Sequence, residues 1–130
     1  MGEIIRDLQV MGNEGQAMVR ACFDSGSPTC FIRRDVSEQI ARPMIMPRPR
    51  RFQLADGDSG LEIQESVYLE VTIKGVTVFW PFLVADRLSD EMIIGVDMMQ
   101  RWKIKLDFEA DDVEISPDVI ARLRGPGIRL

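Results

Sequence analysis

The chain has 130 residues, of which 45 % are hydrophobic and 28 % charged, and its net charge is −5. That length fits one domain with a modest core, and the composition excludes a disordered or fibrous chain. The acidic balance argues against a general affinity for nucleic acid, and no stretch nears the ~18 consecutive apolar residues of a membrane span.

The opening MGEIIRDLQV has no basic region followed by an apolar run, so it is not a signal peptide. Arg6 stands where a myristoylation motif needs Ser or Thr. A soluble, cytoplasmic domain without membrane contact is expected. The chain has two cysteines, Cys22 and Cys30, and no histidine. This rules out Ser-His-Asp and Cys-His nucleophile systems and the usual zinc-ligand sets. Hydrolytic chemistry must rest on carboxylates or a lysine, and no metal or cofactor is called for.

In chain order, Ile4–Val10 reads as a strand and Met11–Gly15 as a turn. Ala17–Phe23 is a second strand, apolar enough near its end to be buried on both faces, and it runs straight into Asp24. A turn over Asp24–Pro28 precedes a short helix over Arg33–Ala41. Pro43, Pro47 and Pro49 then point to an extended connection rather than a helix. Phe52–Leu54 and Leu61–Ile63 flank Ala55–Gly60, which has hairpin turn chemistry. Val67–Ile73 and Val76–Val84 are strands joined at Lys74-Gly75, with Pro81 marking an edge or a bulge. Met92–Ile94 is a short strand and Asp97–Trp102 a helical turn. Ile104–Phe108 and Val113–Ile115 form a last pair. Ser116, Pro117 and Gly125 frame a terminal helix followed by a tail.

The segment Ala21-Cys22-Phe23-Asp24-Ser25-Gly26-Ser27 carries the chemistry. An apolar strand delivers an aspartate at its end, and a small hydroxyl residue and a glycine turn the chain sharply. Two such carboxylates meeting across a two-fold axis cannot both ionise, so they share one proton. The protonated one polarises a peptide carbonyl and the ionised one accepts a proton from water.

Asp24-Ser25-Gly26 resembles the Asp-Thr/Ser-Gly signature of aspartic peptidases. Ile93-Ile94-Gly95, about 70 residues later, resembles their second element of two apolar residues and a glycine. With a hairpin between the two, residues 4 to 115 are similar to the retropepsin-like (retroviral-type) aspartic peptidases. The resemblance implies a mainly β, single-domain, closed barrel-like fold with one or two short helices, over residues 1–115, followed by an appended helix and tail at 116–130. It implies an aspartic endopeptidase acting on extended polypeptide. Asp24 would be catalytic, Ser25 would lock the two catalytic loops together, and Gly26 would contact substrate backbone beside Ser27. The flap tip would be Asp56, Gly57, Asp58, Ser59 and Gly60. One usable signature per chain implies a homodimer with one Asp24 from each subunit. Departures are visible too. Ser27-Pro28 follow the signature where retroviral members usually have alanine. Val96 follows Gly95 where many have an arginine, so that supporting ion pair is absent or rebuilt. Gly95-Val96-Asp97 is closer to the retrotransposon and cellular branches.

Plainer readings cover other features. Asp58-Ser59-Gly60 lacks a preceding apolar strand and is a turn. Arg48, Arg50 and Arg51 read as a solvated connection rather than a nucleic-acid surface. Trp80 and Trp102 read as core or interface anchors, the eight methionines as gap fillers, and Cys22 as buried and inert. The alternative function is a catalytically silent dimerisation or peptide-binding module on the same fold.

Overall fold

The architecture comes from a computed structural model in which residues 3–53 and 60–119 are described. Nine strands and two short helices alternate along them: β1 (Glu3–Met11), β2 (Gln16–Asp24), β3 (Phe31–Arg33), α1 (Arg34–Ile40), β4 (Met44–Gln53), β5 (Gly60–Ile73), β6 (Val76–Ala85), β7 (Met92–Ile94), α2 (Val96–Arg101), β8 (Lys105–Asp107) and β9 (Asp112–Glu114). The main sheet runs β1-β2-β7-β3-β6-β5-β4, and β1 also pairs with β5. That extra pairing, Gln9 with Thr72 through Met11 with Glu70, closes six strands into a barrel and leaves β4 flanking β5. The mainly β closed barrel with two short helices is the expected fold class.

Period-two alternation fills the barrel, because successive side chains of a strand point to opposite faces. Ile4, Leu8 and Val10 of β1, and Leu69, Val71 and Ile73 of β5, are buried, while their neighbours reach solvent. The end of β2 breaks this alternation: Ala21, Cys22 and Phe23 are all buried. Central strands covered on both faces read this way, and this one is sandwiched between β1 and the parallel β7.

Turns obey local chemistry. Lys74 and Gly75 have φ of 49° and 80°, the pair of positive values that a two-residue primed hairpin requires between Ile73 and Val76. Gly12 lies against the end of α1, where an added Cβ would stand 2.4 Å from the Ile40 carbonyl oxygen. With no side chain there, Glu14 N–H donates to Ile40 O at 2.9 Å and satisfies a helix-terminal carbonyl. Pro81 pairs opposite Tyr68, and β3 meets β6 only from Leu83 onward, so the proline sits where the other edge of β6 has no described strand partner.

Two expectations need correction. The proline-rich stretch is not a bare connection: it forms edge strand β4, paired with β5 at Met44–Ile45 and again at Arg50–Gln53. Pro47 and Pro49 fall in the register break between those pairings, where their missing N–H groups cost no ladder bond. The methionines are also not uniformly gap fillers. Met92, Met98 and Met99 are buried, but Met11, Met18 and Met44 are exposed. The tip residues Asp56, Gly57, Asp58 and Ser59, and the terminal segment from residue 120, lie outside the described residues. Ahead of that segment, Ser116 Oγ accepts from Asp118 N–H at 3.2 Å, as a helix N-cap does.

Trp102, which follows α2, anchors the lower core. Its ring is 1 % exposed, meets Phe79 edge-on at 5.1 Å, and donates Nε1–H to Phe79 O at 3.0 Å. Trp102→Ala removes a large buried ring and strands that carbonyl, so chemical denaturation should show a loss of ~3–5 kcal/mol. A loss below ~1 kcal/mol would mean that the ring is not a core anchor.

Candidate active site

Asp24 is the last residue of β2, half-buried where the strand leaves the barrel. The turn that follows is held by its own backbone. Gly26 N–H donates to Asp24 Oδ1 at 2.8 Å, and Ser27 N–H donates to Asp24 O at 3.1 Å. The first bond orients the carboxylate, and a Cβ on Gly26 would lie 3.2 Å from that same oxygen. Ser25 is exposed at the turn's crest.

The second sequence element packs directly behind this turn. Phe23 pairs with Ile94 and Cys22 with Ile93 in parallel register. At Gly95 an added Cβ would lie 2.3 Å from the carbonyl oxygen of Thr29 and 2.8 Å from that of Ser27. The bare glycine thus lets α2 start against the turn, and Val96 N–H donates to Ser27 O at 2.8 Å.

No arginine follows Gly95; the support is built from Asp97 instead. Thr29 Oγ1 donates to Asp97 Oδ2 at 2.8 Å, Cys30 Sγ lies 3.4 Å from Oδ1, and Met98 N–H reaches Oδ1 at 2.7 Å. Gly95 N–H in turn points at Cys30 Sγ at 3.2 Å. One carboxylate therefore ties the far end of the Asp24 turn to the start of α2. Among the described residues no ion pair stands at this place; hydrogen bonds to the Asp97 carboxylate hold it.

In front of the turn lies a cleft of about 460 Å³, bordered by Asp24, Gly26, Ser27 and Pro28 on one side. Phe31, Phe52, Leu61, Leu88 and Ile93 make its apolar wall, and Arg51 and Gln53 complete it. Phe31 and Phe52 meet edge-on with ring centres 5.1 Å apart. Arg33 steadies the segment carrying Leu88: its N–H donates to Glu91 O at 2.9 Å, and Nη1 approaches the carbonyls of Leu88 and Ser89 at 3.5 and 3.4 Å. Asp24, Gly26, Ser27, Ile93 and Gly95 are thus brought together. Of the flap residues, Gly60 is described, opposite Gln53 at the mouth of the β4–β5 hairpin. The sequence marked Asp97 by its place after Gly95 but not its partners, and it did not mark the wall. Phe31 and Phe52 look like any core phenylalanine, and nothing near Asp97 in the chain points to Thr29 and Cys30.

Carboxylates gather near Cys22. Burial first, then the charges of Asp90, Glu3 and Asp24, push its thiol up to about 12, so it stays protonated at physiological pH. Burial also raises the Cys30 thiol, with Asp97 adding to the effect. Both cysteines are free. Among the described residues no three His, Cys, Asp or Glu side chains are gathered to hold a metal ion, and no helix is long and apolar enough to cross a membrane.

The family model of the Ty3 transposon peptidase matches residues 12–119. The chain belongs to this retropepsin-like family. Two solved structures share the fold. The retroviral protease-like domain of Ddi1 from Leishmania major superposes with a TM-score of 0.67 at 20 % identity, covering 89 % of this chain and 90 % of that one. EIAV protease, solved with the inhibitor HBY-793, gives a TM-score of 0.57 at 20 % identity, covering 79 % and 92 %. The protein is therefore an aspartic protease-like domain.

The Asp97 clamp makes a direct prediction. Asp97→Ala leaves the Thr29 hydroxyl and the Met98 N–H without their acceptor and should cost ~1–3 kcal/mol in urea unfolding. Asp97→Asn retains one acceptor oxygen and should lose clearly less. Equal losses would show that the carboxylate does not hold the turn.

Proposed function

We propose that the protein is an aspartic endopeptidase whose active site forms when two chains bring their Asp24 turns together across a two-fold axis. The observation that carries this reading is the placement of Asp24. A carboxylate oriented by Gly26 N–H borders a cleft with an apolar wall, beside the mouth of a hairpin. An extended peptide laid along that cleft pairs through its backbone and seats an apolar side chain against Phe31 and Phe52.

The chemistry then follows from two identical groups in different protonation states. Carboxyls held close together share one proton. The protonated Asp24 donates to the scissile carbonyl oxygen, while the ionised one takes a proton from a water that attacks the carbonyl carbon. The proton taken from water passes to the amine nitrogen as the C–N bond breaks, and a hydroxyl proton of the collapsing gem-diol returns to the other Asp24, which restores the singly protonated pair. Ser25 bridges the two turns at the dimer axis, Gly26 and Ser27 contact substrate backbone, and residues 56–60 close over it. Residues 1–115 form the peptidase domain and 116–130 an appended segment.

The test is cleavage of a diverse peptide library from mildly acidic to neutral pH. Wild type should cut, with a maximum where the pair holds one proton, and Asp24→Asn should abolish turnover while leaving the fold intact. Activity that survives in Asp24→Asn, or that climbs steadily into alkaline pH, would refute the mechanism. A folded wild-type dimer that binds peptides and cuts none would mark the protein as a binding module.

A further inference from the structure

The arginines of β4 find no use in the reading above. The strand Met44–Gln53 contains Arg48, Arg50 and Arg51 and no acidic residue, in a chain of net charge −5. They do not lie on a free connection: β4 is one arm of the hairpin that borders the cleft, and Arg51 lines the same cleft as Asp24. Its neighbour Phe52 forms part of the apolar wall, and the Arg50 guanidinium sits 5.1 Å from the centre of the Phe52 ring. The arm opposite supplies Glu62 and Glu65. Glu65 is engaged by Arg34 at 2.5 Å, and Glu62 pairs with Arg51 at 2.9 Å. The Arg51 and Glu62 side chains are 84 % and 57 % exposed. A pair in that much water is weak and exchanges readily for another carboxylate, and a guanidinium can hold two carboxylates at once through its five donors.

Resting on the reading of this cleft as an extended-peptide site, we propose that Arg51, backed by Arg50 on Phe52, makes it selective for peptides bearing an Asp or Glu side chain close to the apolar residue seated on the Phe31–Phe52 wall. The apolar residue supplies burial, while the acidic one supplies direction, because a peptide laid in the reverse sense puts its carboxylate away from β4. A lysine at the same place meets the arginines and is repelled. Charge also acts before contact, since a basic strip on an acidic molecule draws acidic segments to this face.

Peptide binding by Asp24→Asn tests this without depending on turnover. The probes are fluorescent ten-residue peptides with a central Phe-Leu pair, carrying Glu, Gln or Lys at each flanking position in turn, followed by anisotropy. At one or two positions Glu should bind roughly fivefold tighter than Gln and roughly tenfold or more tighter than Lys, with the gap shrinking in high salt. Adding Arg51→Glu should reverse the order of Glu and Lys, and Arg51→Gln should level it; both substitutions are at an exposed position and leave the core untouched. Equal affinities for the three series, a preference that survives Arg51→Glu, or no binding of any peptide would overturn the proposal. Should wild type cut nothing while this preference holds, the peptidase reading falls and the selectivity stands.

Discussion

At Gly95 there is no room for a side chain: a Cβ would sit 2.3 Å from one backbone oxygen of the Asp24 turn and 2.8 Å from another. The rest of the site depends on that contact. Because α2 can begin flush against the turn, Val96 N–H reaches Ser27 O, and Asp97 comes within reach of Thr29 and Cys30. The turn following Asp24 is thus gripped from within by Gly26 and Ser27 N–H, and from behind by α2. A loop held at so many points presents its carboxylate in one orientation, which is what pre-organised chemistry needs.

Barrel closure supplies the frame for that grip. Strand β5 is long enough to serve two purposes. Its second half pairs with β1 and β6 and completes the barrel, while its first half pairs with β4 and extends as one arm of the hairpin beside the cleft. The cleft wall is therefore continuous with the barrel: Phe31 comes from β3, Ile93 from β7, Leu61 and Phe52 from the hairpin. Leu88 is added by the segment that Arg33 steadies. The apolar cluster around Phe31, Leu61, Ile63 and Leu83 stands apart from the main core, so the hairpin has a packing base of its own.

What the sequence made legible was whatever could be read within a short window. Asp24-Ser25-Gly26 at the end of an apolar strand, the Ile93-Ile94-Gly95 partner, the period-two runs, and the fold class they imply all fall in that group. Trp102 read as a core or interface anchor and is buried in the core. What escaped depended on distant partners. The role of Asp97 lies in hydrogen bonds to Thr29 and Cys30, nearly 70 positions earlier. Phe31 and Phe52 line a cleft only because two strands bring them together. Strand β4 was read as an extended connection because its prolines argue against a helix, and only the pairing with β5 on either side of the register break shows it to be a strand. The arginines on that strand read as a solvated connection for the same reason. They are exposed, but on a strand beside the site.

The central claim is that two chains build one catalytic pair, and subunit mixing tests it most directly. Wild type and Asp24→Asn are combined at fixed total concentration, allowed to exchange, and assayed for peptide cleavage. If each site needs Asp24 from both chains, activity falls as the square of the wild-type fraction, so that an equal mixture retains about a quarter of the wild-type rate. A linear fall, with half the rate in the equal mixture, would contradict the account. It would mean that each chain acts alone, and would turn attention to Glu3, the carboxylate that pairs opposite Asp24 within the same chain.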